Sequence, residues 1–197
     1  MECVDKKVSG SSQKTEYSII PYKNKNFIKI IDFYLFNCPA RHTQKTKDLT
    51  GNNKYNFIFT KVSARGKTFS ERGIEGGGLR TLRAAMQRTS YKGELFDLTL
   101  DKPEDIEQYS SRSGEICLTV KNSQMSQTDA IYYSIRNAFA HGSFSIEKGI
   151  YFLVNRNNGK LKGIIRLKEE TLLKWIDLCS LSIDEIKKTI KKEDGKK

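Results

Sequence analysis

The chain contains two histidines, and one of them stands in a pattern that could do chemistry. His141 follows Arg136 by five positions and Asn137 by four, in the run Arg136-Asn137-Ala138-Phe139-Ala140-His141. An imidazole titrates near neutral pH. It can take the proton of a ribose 2′-hydroxyl, or return one to a departing 5′-oxygen. A guanidinium can hold a phosphate with two donors and stabilise the charge that builds in the transition state. The asparagine amide can orient the imidazole or bind a phosphate oxygen. Arg136, Asn137 and His141 are therefore candidate catalytic residues for RNA cleavage without a metal. No cluster of carboxylates accompanies them, so neither an obligatory Mg²⁺ nor any other cofactor is expected. The competing reading is structural: Arg136 makes a surface ion pair, and His141 caps a helix C-terminus, where the dipole favours a cation.

The segment that must position these residues runs from Gln127 to Phe144 and is the best amphipathic helix in the sequence. On a 100° wheel, Ile131, Ile135 and Phe139, flanked by Ala138, form a core stripe. Tyr133, Asn137 and His141 form a second stripe, and Tyr132, Arg136 and Ala140 a third. Asn137 and His141 lie one turn apart. Arg136 and His141 are separated by about 140° on an ideal helix. One straight helix does not make them a tight pair; two copies meeting at an interface would. Ser126 or Thr128 is the expected N-cap, with Asp129 complementing the dipole, and Gly142 is the stop signal.

Residues 1–15 are polar and aperiodic and read as a loose arm. Tyr17 to Pro21 reads as a short strand or extended lead-in. Phe27, Ile30, Ile31, Tyr34 and Leu35 predict a buried helix ending before Pro39. Residues 56–62 are rich in aromatic and β-branched types and fit either a strand or a helix start. The glycines of Gly76-Gly77-Gly78 precede a helix carrying Leu79, Leu82, Ala85 and Met86 inside and Arg80, Arg83 and Arg88 outside. Without a Gly-Lys-Ser/Thr ending, this loop reads as a connector rather than a phosphate cradle. The arginine face is either solvated or a phosphate-tracking surface. Residues 95–100 suggest a short extended piece, Pro103 opens a short helix, and 115–121 is extended or helical. Residues 149–167, turning at Asn158-Gly159, are the clearest β-hairpin. A helix containing Leu172, Trp175 and Ile176 follows, then another opened by a capping box at Ser182 and Glu185. The charged tail, 193–197, is expected to fray.

At 197 residues a single domain is expected, large enough for a real core. The net charge is +12, which favours a polyanionic partner, RNA above all, through counterion release. No apolar run reaches the roughly 18–20 residues of a membrane span, and no helix is a strong basic amphipath. A cytoplasmic location with no membrane partner is expected. Cys3, Cys38, Cys117 and Cys179 are scattered, without a C-x-x-C pair, and read as free thiols. Cys38 and His42 make an isolated C-x-x-x-H, too little for zinc.

The run IRNAFAHGSF, a hairpin and then ETLLKWIDL resembles a stand-alone bacterial branch of the HEPN domains, whose signature is R-x(4–6)-H with a polar residue after the arginine. The likeness covers about residues 127–180. It implies a mainly α, HEPN-like helical bundle, with the hairpin as an insertion after the motif helix. It also implies metal-independent endoribonuclease activity by 2′-OH attack, with Arg136 and His141 catalytic and Asn137 auxiliary. The resemblance further implies a homodimer with a composite active site and a role as a bacterial toxin or antiviral, abortive-infection effector, with an antitoxin or other regulatory protein as a further partner. The alternative is a non-catalytic RNA-binding or partner-binding HEPN module. A third reading makes Tyr132 or Tyr133 the target of a modifying enzyme.

Overall fold

The computed structural model describes residues 24–40, 67–123 and 125–196, and the backbone of 44–47 and 53–56. The expected arm at 1–15, the lead-in at 17–21, His42 and residues 57–62 lie outside the described residues. Helix α1 (Lys25–Ile31) is capped by the Asn24 side chain and runs on as a π-helical stretch, Asp32–Asn37. It ends, as expected, before Pro39. A small antiparallel ribbon pairs β1 (Gln44–Lys47) with β2 (Asn53–Asn56).

The expected helical bundle is overturned. Strands β3 (Leu95–Leu100), β4 (Glu115–Val120), β5 (Phe144–Glu147), β6 (Ile150–Asn157) and β7 (Lys160–Lys168) form one mixed sheet. Its order is β3-β4-β7-β6-β5. The β3–β4 pair is parallel and every other pair antiparallel. The architecture is α/β. The hairpin is not an insertion but the centre of the sheet, because β7 pairs with β4 on its far side. The short extended piece expected at 95–100 is β3, where Phe96, Leu98 and Leu100 alternate with Asp97 and Thr99, and 115–121, left open between extended and helical, forms β4. The crossover between them is the short helix α3 (Ile106–Ser110), preceded by a 3₁₀ turn at Pro103–Asp105.

One face of the sheet carries the main core. Cys117 of β4, Ile165 and Leu167 of β7, and Tyr151 and Leu153 of β6 are buried there against α1, α2 (Gly77–Thr89), α4 (Gln127–Ala140), α5 (Glu169–Leu178) and α6 (Ile183–Asp194). On the opposite face a smaller cluster joins Leu100, Ile116 and Leu118 to Ile106. Large aromatics fill the main core with their polar atoms bonded. The Tyr34 hydroxyl donates to the Leu172 carbonyl (3.1 Å), the Tyr132 hydroxyl to the Trp175 carbonyl (3.2 Å), and Trp175 Nε1 to the Met86 carbonyl (3.1 Å). Each such ring removes roughly 150–250 Å² from water without leaving an orphan donor.

The hairpin turn is as expected, with Asn158 at φ +49° and Gly159 at φ +75°. The capping box at Ser182 and Glu185 forms in full. The glycine loop has a packing reason. A Cβ on Gly78 would stand 3.0 Å from Ile183 Cδ1, so glycine lets α2 approach the start of α6. Of the three arginines on the outer face of α2, Arg80 is exposed and the other two are paired. Arg83 Nε donates to Asp97 Oδ2 at 2.6 Å, and Arg88 Nε to Asp194 Oδ1 at 2.7 Å.

Candidate functional site

The motif helix is α4. Ser126 is its N-cap: its hydroxyl accepts from the Asp129 N–H (3.0 Å) and donates to the Asp129 carboxylate (2.7 Å). Burial raises the Asp129 carboxyl above its ordinary range, and the bonds from Ser126 oppose the shift. The helix is buried on more sides than the expected core stripe. Ile131, Ile135, Ala138 and Phe139 are buried, and so are Tyr132 and Ser134. The reason is its place between the sheet on one side and the π-helical stretch and α2 on others.

The C-terminus of α4 is closed by a Schellman turn. The Gly142 N–H bonds the Phe139 carbonyl (3.2 Å) and the Ser143 N–H bonds the Ala138 carbonyl (2.8 Å), with Gly142 at φ +63°. That left-handed residue is what glycine permits. His141 is the C-cap, its N–H on the Asn137 carbonyl at 3.0 Å, and its side chain is exposed. The Ser143 carbonyl then accepts from the Val154 N–H (2.9 Å), which leads the chain into β5. The candidate imidazole thus stands in solvent at a corner fixed from both sides, by the helix end and by the sheet.

The other two candidates leave the helix in different directions. Asn137 is half-buried, and its amide donates to Asn155 Oδ1 on β6 at 3.3 Å. The amide is engaged with the sheet rather than with the imidazole. Arg136 is also half-buried and lies near Cys38, at the end of the π-helical stretch. Burial pushes the Cys38 thiol up to about 12, while the Ala40 backbone N–H and the Arg136 charge pull it down. Within one chain, Arg136 and Asn137 therefore leave α4 about 100° apart, and His141 stands at its tip.

Sequence reasoning missed the residues next to this corner. Asn155 is only 4% exposed and its amide donates to Ser134 Oγ at 3.1 Å. Beside it opens a cleft of about 310 Å³, where Tyr133 and Ser134 of α4 face Asn155, Asn157 and Lys162 of the hairpin. The loop after β4 supplies Lys121 and Asn122. A signal was present in the sequence. Tyr151, Leu153 and Asn155 share one face of β6, so an asparagine occupies a position where the alternation demands an apolar residue.

Tyr132 is fully buried and bonded to Trp175 and Cys179, which leaves it inaccessible to a modifying enzyme. Cys38, Cys117 and Cys179 are buried free thiols. Among the described residues no group of His, Cys, Asp or Glu is placed to hold a metal ion, and no helix is long and apolar enough to cross a membrane. A scan against family models found no match, and searches of curated proteins and of solved structures found none either.

Proposed function

We propose that the protein is an endoribonuclease that cleaves RNA without a metal ion, using His141 and Arg136 in HEPN-type chemistry carried on an α/β scaffold. The observation that carries this reading is the placement of an exposed imidazole at the rigid C-cap of the central helix, five residues beyond a half-buried arginine. The net charge of +12 supports an RNA partner. In the reaction the ribose 2′-oxygen attacks the adjacent phosphorus and the bond to the 5′-oxygen breaks. The 2′-hydroxyl gives up its proton, the 5′-oxygen gains one, and the products are a 2′,3′-cyclic phosphate and a 5′-hydroxyl. His141 moves a proton in this scheme and Arg136 holds the phosphate. Asn137, committed to Asn155, acts as a positioning residue for the last turn of α4. A role as a toxin or antiviral effector, with an antitoxin or other regulator, rests on the family resemblance alone.

The test is RNA incubated in EDTA with wild type, His141→Ala and Arg136→Ala. Wild type should leave cyclic-phosphate ends, and each variant should lose about 100-fold or more in rate. Equal cleavage by all three removes the assignment. The engagement of Asn137 with the sheet favours one second reading, a module that binds RNA without cutting it. That reading predicts salt-sensitive RNA binding, unchanged in His141→Ala, with no product.

A further inference from the structure

We infer that the cleft between α4 and the β6–β7 hairpin is a pocket for a single nucleotide of RNA. Calling that nucleotide part of a substrate rests on the ribonuclease reading; the binding itself does not.

The lining excludes other ligand classes. Among the described residues no carboxylate, histidine or cysteine contributes to it, so these offer a metal ion no charged or soft donor. Its apolar contributors, Val120, Met125 and Ala130, are too small a set for a lipid or an apolar cofactor. What remains is two cations and a ring of amides and hydroxyls. Lys121 and Lys162 can meet a phosphate. Lys121 Nζ also stands 3.6 Å from the Asp101 carboxylate, but both side chains are more than 70% exposed, and such a pair yields readily to a competing anion. Asn157, exposed on the hairpin, presents both a donor and an acceptor, the complement of a nucleobase edge, while Asn155, held by Asn137 and Ser134, shapes the wall behind it. Tyr133 supplies an aromatic ring, the usual platform for an unpaired base. At about 310 Å³ the cleft sits at the low end of the roughly 300–1,000 Å³ typical of small-molecule sites. That suits one nucleotide and not a folded segment.

The cleft is also tied to the catalytic corner. Asn155 bonds Ser134 inside the cleft and Asn137 at the last turn of α4. Ser134 and His141 are seven residues apart on one helix, roughly 10 Å along its axis. A strand with its scissile phosphate at His141 would reach the cleft within a short run of nucleotides. The pocket would then select which base stands beside the cut.

The experiment titrates the full-length protein at low salt with each of the four ribonucleoside 5′-monophosphates and with inorganic phosphate, followed by NMR or calorimetry. Saturable one-to-one binding of at least one nucleotide is expected. Lys162→Glu should weaken it about tenfold or more, with an unchanged melting temperature, whereas Arg156→Glu, exposed and outside the lining, should leave it within about twofold. Three results overturn the inference: no nucleotide binds; phosphate binds as well as every nucleotide; or Arg156→Glu weakens binding as much as Lys162→Glu. Cleavage of RNA without nucleotide binding would sink the pocket alone. Nucleotide binding without cleavage would sink the ribonuclease reading alone.

Discussion

Asn137 and Asn155 are joined side chain to side chain across 3.3 Å, and through Asn155 the last turn of α4 is tied to Ser134 one turn back. The bond crosses from the motif helix to the middle of β6. It fixes the helix end that carries His141 against the strand whose far residues line the cleft. The same contact withdraws the amide from the direct chemical role that its place beside Arg136 suggests.

Replacing Asn155 should therefore destabilise the whole fold. Asn155→Leu leaves the Ser134 hydroxyl and the Asn137 amide without their partner in a site only 4% exposed. An orphaned buried polar group costs about 1–3 kcal/mol. Denaturant unfolding should show a loss in that range, with a smaller loss for Asn137→Ala. A wild-type midpoint for Asn155→Leu would mean the amide chain holds nothing.

Gly163 predicts a second sensitive position. It lies on β7 opposite Thr119, and a Cβ there would stand 3.1 Å from both the Leu118 carbonyl oxygen and Ser134 Oγ. The strand backbone cannot withdraw, so the added methyl must press on α4. Gly163→Ala should cost about 1–3 kcal/mol by overpacking, and the loss should appear in thermal melts alongside a shift in the His141 imidazole resonances. Unchanged stability would show that α4 can lift off the sheet freely.

These two positions also show why the sequence was only partly legible. The motif helix, its Ser126 cap, its Gly142 stop, the Asn158-Gly159 turn and the helices after it were readable because each rests on local spacing or local turn chemistry. The sheet was not. Its order depends on β4 lying between β3 and β7, a pairing of segments about fifty residues apart with no local signature. The extended piece at 95–100 was readable from the alternation of Phe96, Leu98 and Leu100 with Asp97 and Thr99, but not the strands it would join. Asn155 was overlooked for a related reason: its out-of-place polarity has meaning only once β6 is known to bury that face. The ion pairs of Arg83 and Arg88 were not readable on the α2 wheel because Asp97 and Asp194 lie on other elements, β3 and α6.

The thiols give a prediction with a pH sign. Burial pushes Cys38 and Cys179 up to about 12 and Cys117 well above 9.0, with the Asp97 and Glu115 charges adding to the last. The thiolate is the reactive form. Iodoacetamide at pH 8 should leave all three unmodified in the native protein and label them in denaturant, as read by peptide mass spectrometry. Because the folded values lie above the ordinary 9.0, the stability these groups contribute is complete below pH 9 and is lost as pH rises toward 12. Fast native labelling at Cys38 would mean that the end of the π-helical stretch opens.

Five helical residues put Arg136 and His141 about 140° apart on an ideal helix, which favours a site shared between two chains for the proposed reaction, and mixing tests it. Arg136→Ala retains His141, and His141→Ala retains Arg136, so each homodimer lacks one group at both sites. In a mixed dimer, one site draws its arginine from one chain and its histidine from the other, and is intact. Random exchange makes about half of the dimers mixed, each with one working site of two, so cleavage should recover to about a quarter of wild type. The assay is RNA cleavage in EDTA after co-refolding or prolonged co-incubation of the two inactive variants. A mixture that stays as inactive as its components, while size measurements show that the chains do exchange, would place arginine and histidine in the same chain's site. The reaction would then require a movement of the α4 terminus that brings His141 around toward the Arg136 flank.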